Sequence, residues 1–265
     1  MALVLSRVAR FRVLNALTLV AVVALNGAAA TGAMSGDSIG VLANRSPSLF
    51  LPANFTFGIW SLIYAGLFAC LAFQLLPSAG GRRTVERLGW WWAVAGALNV
   101  AWITLFSFSL FGPALVVMLA LLAALVWTGE RLRRWSVTWP ERVLAVWPHD
   151  LYLAWIAVAV IANSFQYAHV IGFGGAGITE TGWAVAMMVA AALLGALMAY
   201  DRKNWIFPLV VAWALYGIGV RHAADPVIGT ASGWVATAGV ALGAVAWVMG
   251  TWGSAPEEEV PDFDL

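Results

Sequence analysis

Charge is the first thing this sequence has little of. Lys and Arg number 14 and Asp and Glu 13 in 265 residues, 10% together, where soluble domains carry about 25%. With 62% hydrophobic residues and a mean hydropathy of +0.86, that shortage excludes an ordinary soluble domain. It identifies an integral membrane protein. The net charge of +1 says nothing of partners, and no basic run resembles a nucleic-acid footprint, so no nucleic-acid partner is expected. Cysteine is limited to Cys70, which rules out an intrachain disulfide and a cysteine-based metal site. Lying within an apolar run, Cys70 reads as a small core residue. His149 and His169 stand at opposite ends of one apolar segment, so they cannot share a metal, and terminal histidines of this kind belong at the membrane interface. No carboxylate falls mid-segment, where an ion-coupled pump would place one. Gly172 to Gly177 is glycine-rich, yet no strand precedes it and no Lys-Ser/Thr follows, so it is a turn and not a phosphate loop. No catalytic residue and no metal ligand is therefore expected.

Eight apolar segments are present. The first runs from Val13 to Ala33 after Arg7, Arg10 and Arg12. Ala28-Ala29-Ala30 resembles a cleavage site, but the run is longer than the usual 7–15-residue signal core, which favours an uncleaved helix. Asn15 and Asn26 within it are expected to face other helices. The others span about Phe55–Leu76, Leu88–Leu110, Gly112–Gly129, Asp150–Val170, Thr181–Tyr200, Trp205–Val220 and Val227–Gly250. The seventh is short for a full crossing. Between them lie a long loop from Ser35 to Ala53, containing Pro47, a basic turn from Gly80 to Arg87, and an Arg-rich connection from Glu130 to Trp147. The long loop reads equally as a disordered hairpin or as a lid. With the N-terminus inside, eight crossings put twelve Lys and Arg on the cytoplasmic side and only Arg45 and Arg221 on the other. That bias agrees with the positive-inside rule. It predicts cytoplasmic termini, including an acidic tail over 254–265.

Sixteen tryptophans are more than interfacial anchoring requires. Pro52 and Asn54 are plausible first-turn and cap residues for the second helix. Phe57, Trp60 and Tyr64 then recur at helical spacing, i, i+3 and i+7, on one face. Asn99, Trp102 and Phe106 do the same in the third helix, and Trp155, Ala159 and Asn163 at i, i+4 and i+8 in the fifth. Two readings stay open for the rings, an aromatic belt at the interface or one wall of a pocket. Two also stay open for the amides, including Gln74 and Gln166: glue between helices, or polar fixers in a cavity that suits a flat apolar ligand.

These residues resemble the tryptophan-rich sensory proteins, the family of the translocator protein and peripheral benzodiazepine receptor. The matching residues are Phe57-Gly58 with Trp60 and Tyr64, Leu98-Asn99-x-x-Trp102 with Leu105-Phe106, and Pro148 and Trp155 with Asn163 eight residues on. The likeness covers roughly Phe11 to Val170. It implies an all-α, polytopic membrane bundle with a five-helix core over 1–170. A three-helix extension over 171–253 has no counterpart in short members. Phe57-Gly58-Ile59-Trp60 is one residue shorter than the usual Phe-Gly-Pro-Val-Trp segment and lacks its proline, so the start of the second helix is expected to differ. The resemblance further implies a receptor or carrier for a porphyrin-like planar molecule. Phe57, Trp60, Tyr64, Asn99, Trp102, Phe106, Trp155, Ala159 and Asn163 would line its pocket, beneath the loop joining the first two helices. The alternatives are a transporter of a hydrophobic small molecule and a light-dependent porphyrin-degrading enzyme. No cofactor is expected to be required, with a bound tetrapyrrole as ligand. Lipid and a second copy in a homodimer are the expected partners, and a bacterial cytoplasmic membrane the expected location.

Overall fold

A computed structural model of the chain describes residues 6–45, 48–134 and 137–252. Pro47 and the acidic tail lie outside the described residues. The described residues are helical, without strands, and the elements follow the apolar runs. Helix α1 is Arg7–Thr31 and α2 is Ile39–Arg45. A 3-10 turn, Asn54–Gly58, leads into α3, Ile59–Leu75. Next come α4, Ala79–Leu88; α5, Trp90–Ser107; α6, Phe111–Arg133; and the single turn α7, Trp139–Glu141. A π-helical turn, Arg142–Val146, joins α7 to α8, Trp147–Val170. Helices α9, Glu180–Arg202; α10, Ile206–Arg221; and α11, Pro226–Trp252, complete the order.

Six of these helices are long and apolar enough to cross a membrane. The bent pair α4 and α5 adds a seventh, and α10 is a shorter apolar helix. At 1.5 Å per residue, α10 reaches about 24 Å, less than the roughly 30 Å hydrocarbon core. Its burial offsets that shortfall, since its Phe207, Val211, Leu215 and Ile218 are packed inside the bundle. The chain is an integral membrane protein with an all-α polytopic bundle.

Helices α1, α3, α8, α6 and α5 contact one another in that cyclic order, forming a ring. Close approach within it depends on small residues, as between membrane helices generally. A Cβ on Gly96 of α5 would lie 2.1 Å from Thr18 Cγ2 of α1. Helix α10 packs on α8 outside the ring, and α9 and α11 pack on α10. One hydrophobic cluster runs from Leu19 and Trp102 in the ring to Met188, Leu215 and Ile228 in the added helices.

Several expectations need correction. The stretch from Gly80 to Arg87 is not a turn but most of α4. Ser78 caps it by accepting from the Gly81 amide, and Val85 and Leu88 bury its apolar side. The connection from Glu130 to Trp147 is largely helical, because α6 runs on to Arg133 and α7 with the π turn extends α8 backward. A capping box at Thr138 starts α7, with the Thr138 amide and hydroxyl both donating to Glu141 Oε2. Asn54 opens the 3-10 turn without capping it, since its Oδ1 accepts from Asn44 Nδ2. The long loop is no disordered hairpin over its described residues. It contains α2 and buries Leu42, Ala43, Phe50 and Leu51 in the main core.

Buried ionisable groups are also more numerous than the sequence implied. Asp150 and His149 lie in the first turn of α8, the helix end expected for them, but both are buried within the protein. Asp150 pairs with Arg133. Glu141 is 1% exposed and is gripped by Arg83 through two bonds, at 3.0 and 3.3 Å, with Arg87 at 3.6 Å. These pairs sit at the Arg-rich end of the bundle, where the side chains need not cross hydrocarbon.

Candidate functional site

Three faces of the ring carry the residues singled out by spacing, and the fold brings them together. From α3, Trp60 stacks on Tyr64 with ring centroids 5.5 Å apart, one helical turn being the right spacing for such a pair. Trp60 also lies nearly parallel to Trp102 of α5, at 6.3 Å and 20°. It meets Trp155 of α8 edge-on at 6.5 Å. Phe57, despite the altered start of its helix, reaches Trp155 at 6.1 Å from the 3-10 turn. Phe106 continues the cluster from Trp102 at 5.8 Å toward Phe111 at 5.2 Å. These separations and tilts fall in the range that aromatic pairs prefer.

The amides hold this cluster in register. Asn26 Nδ2 of α1 donates to Asn99 Oδ1 of α5 at 2.7 Å, and Asn99 Nδ2 donates to the Tyr152 hydroxyl of α8 at 2.9 Å. Asn99 is fully buried, so each of its polar ends would be costly without a partner. Trp102 Nε1 donates to Asn163 Oδ1 at 3.3 Å, and Asn163 Nδ2 donates to the Ala159 carbonyl of its own helix. Asn15 joins α1 to α3 by donating to Gln74 at 2.7 Å. The helix-glue reading therefore holds for Asn15, Asn26, Asn99 and Gln74. It coexists with the aromatic cluster, because Asn99 and Trp102 share one face.

Tyr152 was missed by spacing. It stands three residues before Trp155 on the same face, touches Trp60 at 6.0 Å and bonds Asn99. A count begun one turn earlier on the fifth helix would have included it. Ala159 and Asn163 lie a turn or two above Trp155 and are half-buried, as are Phe57, Trp60 and Tyr64. Asn99, Trp102, Phe106 and Trp155 are buried.

The loop between α1 and α3 covers the end of the ring opposite the Arg-rich end. Phe50 stacks on Phe165 of α8 at 5.5 Å, and Gln166 Nε2 donates to the Leu42 carbonyl. The added helices hold the same loop from outside. The Leu49 amide donates to Glu180 of α9, the Ala53 amide to the Gly217 carbonyl of α10, and Trp213 Nε1 to the Thr56 carbonyl.

Among the described residues no group of three His, Cys, Asp or Glu side chains could hold a metal ion. What the arrangement offers is flat apolar surface from three tryptophans, bordered by a few polar atoms. Surface of that kind is typical of small-molecule sites.

A family model described as TSPO-like protein matches residues 12–248, which takes in the ring and almost all of the three added helices. No curated protein and no solved structure matches the chain.

Proposed function

The chain belongs to the TSPO-like protein family, and on that premise we propose that it is a membrane receptor or carrier for a planar, mostly apolar small molecule, with a porphyrin-like tetrapyrrole as first candidate. The observation that supports this reading is the meeting of Trp60, Trp102 and Trp155 from three helices, with Tyr152 and Asn99 beside them. A flat ligand stacks on such rings, while the polar rim orients its substituents. The rings now contact one another, so the ligand enters by parting Trp60, which is half-buried and stands at the end of α3 nearest the covering loop. The orientation proposed with it is the one that leaves the Arg-rich end in the cytoplasm.

Titration of the purified protein with a porphyrin tests this through quenching of tryptophan fluorescence. Trp60→Ala and Asn99→Ala are each expected to weaken the apparent affinity by about tenfold or more, the loss of about 1.4 kcal/mol of contact. Unchanged affinity in both variants overturns the proposed site. Loss of pigment absorbance that needs light and oxygen would instead favour the enzymatic reading.

A further inference from the structure

The second feature lies outside the ring, where the added helices meet the core at the Arg-rich end. Four indoles gather there. Trp147 contacts Trp139 at 5.3 Å, Trp205 at 5.4 Å and Trp247 at 5.6 Å, and Trp205 contacts Trp247 at 4.9 Å. They wall a pocket of about 440 Å³ that Arg133, Arg142, Arg202 and Lys203 also line, with Asp150 as its acid. Two of the cations are committed, Arg133 to Asp150 and Arg202 to Glu130 and Asp201. Among the described residues Arg142 carries no ion pair or hydrogen bond, and Lys203 has only the face of Tyr200, 5.2 Å from its ammonium. Among the described residues, the pocket thus holds cationic charge that no carboxylate balances.

From this pocket an apolar groove of about 840 Å³ runs up the outside of the bundle, and the two share Trp147 and Trp205. Its sides are α3 and α10, which splay apart here; its floor is Pro148 and Leu151 of α8. At the far end Phe55 and Trp213 close it with rings 5.6 Å apart. From Trp205 to Trp213 the helical rise is about 12 Å. Both volumes lie in the range of small-molecule sites, about 300–1,000 Å³.

We propose that this pocket and groove form a binding site for one molecule of an anionic phospholipid. Its phosphate sits against Arg142 and Lys203, and one acyl chain lies in the groove between α3 and α10, past the shared Trp147 and Trp205 wall. Charge complementarity selects the occupant. A zwitterionic lipid brings its own cation to a pocket already in excess of positive charge, and a free anion leaves the groove bare. Basic pockets between membrane helices are a recurrent setting for acidic headgroups. The site joins core to extension, so the lipid acts as a wedge between them. It does not rest on ligand binding at the aromatic cluster.

Tryptophan quenching by brominated acyl chains tests this in nanodiscs of phosphatidylcholine. Brominated phosphatidylglycerol, at low mole fraction, is expected to quench more than brominated phosphatidylcholine at the same fraction, and inorganic phosphate should not reverse the excess. Arg142→Gln with Lys203→Gln removes two cations, each worth about fivefold near a headgroup, so the preference should fall on the order of thirtyfold. Gly58→Leu is a second, uncharged variant. Gly58 lines the groove, has ordinary helical φ, and a Cβ there meets nothing within 4 Å, so the leucine occupies the chain's place and should reduce the same excess. Equal quenching by the two lipids in the unmodified protein overturns the site in favour of unselective annular lipid. An excess that survives both variants, or that phosphate displaces, overturns it as well.

Discussion

Removing one oxygen atom tests the organisation of the ring. Tyr152→Phe keeps the ring that packs on Trp60 and deletes the hydroxyl that accepts from Asn99 Nδ2 at 2.9 Å. The amide is then left in a fully buried place with one of its two interhelical bonds gone. Hydrogen bonds between membrane helices contribute about 0.6 kcal/mol on average and up to about 1.7; a buried donor left unpaired pushes toward the upper figure. The expected loss is about 1 kcal/mol. Asn99→Ala removes the bonds to both Asn26 and Tyr152, with an expected loss of about 2 kcal/mol. The decisive quantity is the coupling between the two sites. A double-mutant cycle, read by reversible unfolding in mixed micelles with tryptophan fluorescence, should give about 0.6 to 1.7 kcal/mol. A coupling below about 0.3 kcal/mol, the scatter of independent sites, refutes the idea that the α5–α8 contact is fixed by this bond. If Tyr152→Phe then also weakened porphyrin quenching tenfold, the hydroxyl would belong to the ligand and not to the scaffold.

Gly96→Ala is expected to destabilise the bundle by about 1–3 kcal/mol, because its Cβ would lie 2.1 Å from Thr18 Cγ2; Thr18→Ala in the same chain should restore most of the loss in the same unfolding assay. Glu141→Ala removes the buried carboxylate that pairs with Arg83 and Arg87 and should cost about 3 kcal/mol, more than Arg83→Ala, whose side chain is 42% exposed. Phe50→Ala loses the stack on Phe165 and should cost about 3 kcal/mol; hydrogen exchange should then rise at the Leu49 and Ala53 amides while α5 stays protected.

Much of the bundle was legible because hydrocarbon demands long apolar runs, and those runs are the helices. Elements whose helicity comes from packing were not. Gly80-Gly81 argues for a turn by propensity, yet a Cβ on Gly81 would lie 2.5 Å from the Phe73 carbonyl, so the close return of the chain itself requires glycine in α4. Loop residues Leu42 and Phe50 gave no periodic signal, because single buried anchors have no period. In the site, spacing placed each residue on a face, and the three faces do converge. Pairing was invisible. That Asn26 would meet Asn99, and Tyr152 complete the bond chain, depends on how each helix is rotated against its neighbours, which no single-helix pattern carries. His149 was misjudged for a related reason. Its imidazole fits against Gly129, 3.0 Å from where a Cβ would be, and only the α6–α8 contact shows that room exists there.

The cover over the ring is riveted from beyond it. Glu180, Gly217 and Trp213 each hold one point of the segment between α1 and α3. At about 1 kcal/mol apiece, these bonds add roughly 3 kcal/mol to the hold of the buried Leu42, Phe50 and Leu51, and so lower the population of an opened form about a hundredfold. A shorter chain ending after α8 would have no such latch. The three added helices therefore act as a doorstop behind the covering segment.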